Sequence, residues 1–196
     1  MTLRLAKPLL SAAVLLLLTA CSSPATTHFY QLPAPSHSQP ESSMAANNHA
    51  ADNSSAGKSL FIEPVKVAPY LNGRGLVLQT SAVELVMARQ HLWADALDQQ
   101  LQRQLRQHLS QLASGYAVQL QPGAQSTRLW LQLDSFHGSA DGYALLSGHF
   151  LLSGQPLSQP FSYRVPLADD GYPALVTALG QGVQQLSQQI AAQLRP

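Results

Sequence analysis

Two apolar stripes at helical spacing bracket a run of alternating segments, and this arrangement limits the chain to few architectures. Leu97, Leu101, Leu105, Leu109 and Leu112 recur at spacings of four and three. Leu175, Leu179, Val183, Leu186, Ile190 and Leu194 do the same near the end of the chain. Each stripe is backed by a glutamine-rich face, so each predicted helix buries one side and wets the other. Between them Tyr116–Leu120, Leu129–Phe136, Tyr143–Leu152 and Phe161–Val165 show period two, with Leu129, Leu131 and Leu133 on one side. Turns at Gly138–Gly142 and Gly154–Pro156 predict antiparallel neighbours. Upstream, Leu60–Val67 alternates, but Pro64 removes a ladder donor and implies an edge strand or a kink. Leu76–Gln79 and Val83–Met87 read as a second pair of short strands. The predicted fold is α+β: a single domain, mainly antiparallel sheet, with two amphipathic helices packed on one face. The other face is left to water or to a partner.

The helix ends carry their own signals. Asp95 is placed to cap the first helix by accepting from the N–H of Asp98, and Gly115 supplies a stop. Pro173 suits the first turn of the last helix. Gly180 and Gly182 each cost about 1 kcal/mol against Ala inside a helix, which a close approach to the sheet would explain. Trp93, just before the first helix, reads either as a hydrophobic staple on the first turn or as an aromatic anchor at an interface.

The N-terminal region has a different logic. A basic start (Arg4, Lys7) precedes an apolar run from Leu9 to Leu18 and then Thr19-Ala20-Cys21. The run is well short of the roughly 20 residues that span a bilayer and has the layout of a secretory signal. Leu18-Thr19-Ala20-Cys21 resembles the lipobox of bacterial lipoproteins. That resemblance implies cleavage before Cys21, the only cysteine, and acylation of it, with Ser22 directing the protein to the outer membrane. The expected organisation is a signal peptide over 1–20, an acylated tether over 21–27 and the domain over 28–196. Residues 34–59, with almost no large apolar side chain, are expected to form a mobile loop. Loss of residues 1–20 takes the charged set from 11 basic and 10 acidic residues to 9 and 10. No basic stripe remains to suggest nucleic acid as a partner.

No motif for catalysis stands out. The seven histidines lie in loops, at element ends or on separate strands, with His108 expected on the polar flank of the first helix. No HExxH, G-x-S-x-G or Walker spacing occurs, so no metal, cofactor or catalytic residue is assigned.

Particular residues nevertheless match a family. Phe29-Tyr30-Gln31-Leu32-Pro33, Ile62-Glu63-Pro64-Val65, Pro69-Tyr70-Leu71, Leu92-Trp93-Ala94, Leu97-Asp98-Gln99-Gln100-Leu101, Ser147-Gly148 and Asp170-Gly171-Tyr172 resemble the PqiC lipoproteins. These are ABC-type and MCE-type transport auxiliary lipoproteins. The resemblance implies an outer-membrane lipoprotein on the periplasmic face that docks onto an MCE-domain tunnel protein of the inner membrane. Lipid transport between the membranes, or maintenance of membrane integrity, is the implied role. It also implies that Phe29–Leu32 joins the sheet, and a homo-oligomeric ring would suit a collar around a tunnel. Tyr70, Leu71, Arg74 and Trp93 are the candidate partner or self interface. The competing expectation is a periplasmic carrier that binds lipid in its own pocket between sheet and helices.

Overall fold

Strand β7 (Thr127–Ser139) is the spine of the sheet, because its two edges are used differently. One edge takes β8 (Tyr143–Leu152) antiparallel along nearly its whole length. The other takes three short strands in succession, all parallel: β2 (Lys58–Ile62) at Thr127–Leu129, β3 (Lys66–Val67) at Gln132–Leu133, and β4 (Gly75–Ser81) at Gly138–Ser139. The computed structural model describes residues 26–35 and 57–194. Beyond β8 lies β9 (Gln159–Pro166), and beyond β4 lie β5 (Glu84–Trp93) and then β1 (His28–Tyr30). With β6 (Tyr116–Gln119) on β2, the nine strands form one mixed sheet. Two helices, α1 (Leu97–Leu112) and α2 (Tyr172–Leu194), complete a single α+β domain.

Most paired residues sit in the three antiparallel hairpin ladders, but β6 departs from expectation. It pairs parallel with β2 instead of joining its antiparallel sequence neighbours. The two strands are far apart in sequence, with β3, β4, β5 and α1 between them, so no tight hairpin forces them antiparallel. Pro64 breaks the first alternating run into β2 and β3, the kink rather than the edge, since β2 lies between β7 and β6. Across the break, the N–H groups of Glu63 and Ala68 donate to Leu129 and Leu133.

The helices pack on each other and on the face carrying Leu129, Leu131, Leu133, Leu146 and Phe150, all buried. All six apolar residues of the second stripe are buried, as are the first four leucines of the first. Asp95 does not cap α1. The residue before the helix is Ala96, and the Asp95 carboxylate pairs with Arg103 instead. His108 is buried, not on a wet flank. Gly182 does mark a close approach to the sheet, since a Cβ there would meet the Leu146 side chain at 3.3 Å. Gly180 marks another: its Cβ would lie 2.5 Å from the Pro33 ring.

Pro33 is there because two buried glutamines hold the segment before it. The Leu32 N–H donates to Gln100 Oε1 at 3.0 Å, and Gln104 Nε2 donates to the Leu32 carbonyl at 3.3 Å. With both backbone groups satisfied, Leu32 enters the core. Strand β1 therefore joins the sheet, over His28–Tyr30 rather than over the Phe29–Leu32 that the resemblance implied, with Leu32 plugging the core beyond the strand end. Of the expected loop 34–59, residues 36–56 lie outside the described residues, and Lys58 and Ser59 are already in β2. Cys21 also lies outside them.

Candidate docking face

Alternation in β7 sends Leu129, Leu131 and Leu133 under the helices and leaves Trp130, Gln132 and Asp134 on the helix-free side. Trp130 is 39 % exposed, a large aromatic surface with no helix over it. Beside it a cleft of about 220 Å³ is lined by Pro64, Lys66, Gln132, His149 and Leu151. Asp134 meets His149 at 3.3 Å on the same side. A register shift between Leu133 and Ser135 then turns Phe136 into the core and leaves His137 on the other side of the strand, also buried. Tyr70 covers His137, with ring centroids 6.4 Å apart, and its hydroxyl donates to the Asp134 carbonyl at 3.0 Å. Burial pushes the Tyr70 hydroxyl above its ordinary pKa, so it stays a protonated donor.

The four expected interface residues separate. Tyr70 is half-buried on this face, and Arg74 is exposed. Leu71 and Trp93 are core residues, each 3 % exposed. Trp93 is the last residue of β5, buried with its ring 5.9 Å from Phe136, so it presents no free surface to a partner. Arg74 lies 5.3 Å over the exposed Phe29 ring and donates to the carbonyls of Trp93 and Ala94, riveting β1 and β5 to the start of α1. Sequence reasoning missed Trp130, although the shared side of Leu129, Leu131 and Leu133 already placed it opposite them.

The strand pair Leu76–Gln79 and Val83–Met87 is present as β4 and β5, but its exposed end was not singled out as a surface. β4 leaves β7 at Gln79–Ser139, so the hairpin end projects past the sheet. Val83, Leu85, Val86 and Met87 are exposed there, on both faces of the strand. Next to the projection, a cleft of about 350 Å³ is lined by Thr80, Ser139, Asp141, Leu145 and Arg164. The Ser139 hydroxyl, donating to Asp141, and the Arg164 ion pair lower the Asp141 pKa, which keeps this exposed carboxyl ionised.

No group of three or more His, Cys, Asp or Glu that could hold a metal occurs among the described residues. No helix among them is long and apolar enough to cross a membrane.

The model of the family described as "ABC-type transport auxiliary lipoprotein component" matches residues 30–191. The chain is 33 % identical over 192 residues to the intermembrane transport lipoprotein PqiC of Escherichia coli (strain K12), covering 96 % of this chain and 97 % of that protein. The PqiC of Shigella flexneri matches with the same figures. One crystal structure, of an uncharacterized protein, is 35 % identical, with a TM-score of 0.74 over 87 % of this chain and 100 % of that one. A Xanthomonas campestris protein, at 14 % identity and TM-score 0.59 over 85 % of this chain and 97 % of that one, shares the fold alone. Motifs spread along the chain, a shared α+β fold and near full-length identity agree: the chain belongs to the ABC-type transport auxiliary lipoprotein family and, within it, stands with the PqiC lipoproteins.

Proposed function

We propose that the protein is a lipoprotein of an intermembrane lipid transport system, anchored through Cys21 to the periplasmic face of the outer membrane and acting by docking, without catalysis. The observation that carries this reading is the relation to PqiC over almost the whole of both chains. The inner-membrane partner is an MCE-domain tunnel protein, and several copies in a ring would form a collar at its end. Of the surfaces described, the helix-free face with Trp130 and Tyr70 suits this docking best. It joins an exposed aromatic anchor to a polar surround, the composition in which interface energy concentrates. The carrier reading gains no support, because Leu131, Leu133, Phe150, Leu179 and Ile190 fill the space between sheet and helices, each 3 % exposed or less.

Trp130→Ala tests the face. Co-purification with the MCE-domain partner from solubilised envelopes should fall at least about tenfold, the loss of a single hot-spot side chain. The melting temperature should stay within about 2 °C, as for a surface substitution. Full co-purification at unchanged stability would sink the assignment of this face.

A further inference from the structure

The N-terminal strand enters the domain from the side on which the apolar hairpin projects. β1 pairs parallel with β5, His28 opposite His91 and Tyr30 opposite Trp93. Moving back along the chain from His28 therefore means moving along β5 toward Glu84 and the hairpin end. β5 from Glu84 to Gln90 is seven residues, roughly 23 Å at about 3.3 Å per residue. Cys21 to Thr27 is also seven residues, with a maximum reach of about 25 Å. The acyl chains on Cys21 can thus come level with the hairpin end and little further.

That end is built unlike the rest of the surface. Val83 is 96 % exposed, and Leu85, Val86 and Met87 are 40–49 % exposed. β1 covers β5 only at His91–Trp93, so Glu84–Gln90 has no strand on that edge among the described residues. A long apolar edge left open in water is a hazard unless something covers it.

We infer that the β4–β5 hairpin end, Val83–Met87, is a second membrane contact that seats in the lipid surface beside the Cys21 acyl chains. This inference rests on the reading that Cys21 is acylated. The charges at this end do not favour an electrostatic contact. Glu84 and Arg89 are of opposite sign, and Asp141 is paired with Arg164. Asp169 and Asp170 follow β9, whose Pro166 pairs with Tyr143 at the same end. The contact is apolar insertion, so it should persist in zwitterionic vesicles and at high salt.

The test uses the full acylated protein in phosphatidylcholine vesicles, with Val86→Cys labelled by an environment-sensitive fluorophore. The acylated Cys21 offers no competing thiol. The label should shift to the blue and lose access to an aqueous quencher. The same label at Leu157→Cys, an exposed site in the β8–β9 turn at the opposite end of the sheet, should stay water-like. Adding Val83→Asp should abolish the Val86 shift while the protein still floats with the vesicles. A water-like Val86 label on protein that floats would overturn the hairpin contact and leave the anchor standing. Protein that does not float would overturn both. A blue shift that vanishes at low protein-to-lipid ratio would assign the hairpin to a second copy and overturn the lipid contact.

Discussion

Leu32 lies in the core although it belongs to a short N-terminal segment, and two side-chain amides make that possible. Gln100 accepts from the Leu32 N–H and donates to the Asp95 carbonyl, while Gln104 donates to the Leu32 carbonyl. Gln100→Ala removes the acceptor and leaves a buried N–H unpaired, a loss of about 1–3 kcal/mol. Urea denaturation should show that loss, and hydrogen exchange should show the Leu32 amide opening ahead of the sheet. His108 is buried beside Gln111, Thr177 and Gln184, with no acid or base among them. Desolvation holds its pKa below the ordinary value of 6.5. Above 6.5 it is neutral folded and unfolded and adds no pH dependence. As pH falls below 6.5 the unfolded chain takes up the proton first, so stability declines until the lowered folded value is passed. His108→Gln should flatten melting temperature against pH in that window, a difference read by subtracting the two curves. These roles were hidden in the sequence because glutamine and histidine beside a leucine stripe look like its wet flank. Whether they are wet depends on a segment more than sixty residues away.

The long elements were legible because period alone specifies them: β8 has the bounds its alternation predicted, and both leucine stripes became helices. Parallel pairing was not legible, since it depends on where a crossover delivers a strand. Length was also understated in β4 and β5, most of all over Ala88–Trp93, where Arg89, Gln90 and His91 followed by Leu92 and Trp93 give no alternation. One position explains much of the sheet's centre. A Cβ on Gly148 would lie 2.1 Å from the Gln132 carbonyl oxygen and 3.0 Å from the Phe161 ring. Backbone rather than a flexible side chain sets the first limit, beside the register shift in β7. Gly148→Ala should destabilise by about 1–3 kcal/mol or more, the cost of overpacking. Gly123→Ala, on an exposed turn where the near neighbours are side-chain ends, should change stability far less in the same chemical-denaturation series.

Across the molecule, the functional surfaces divide by direction. The helix side is closed, the opposite side carries Trp130 and Tyr70, and one end carries the apolar hairpin. The sequence left one sheet face for water or a partner but put two core residues, Leu71 and Trp93, on the interface, because a large apolar side chain next to a turn looks the same whether it faces in or out. The parallel alignment of β1 with β5 also has a mechanical meaning. An anchor pulling through residues N-terminal to His28 draws along the strand axis. The ladder bonds and the Leu32 plug then carry the load together, in shear, instead of peeling one after another. On the docking reading proposed above, a domain held by one membrane and gripped from another would be loaded in shear at this joint.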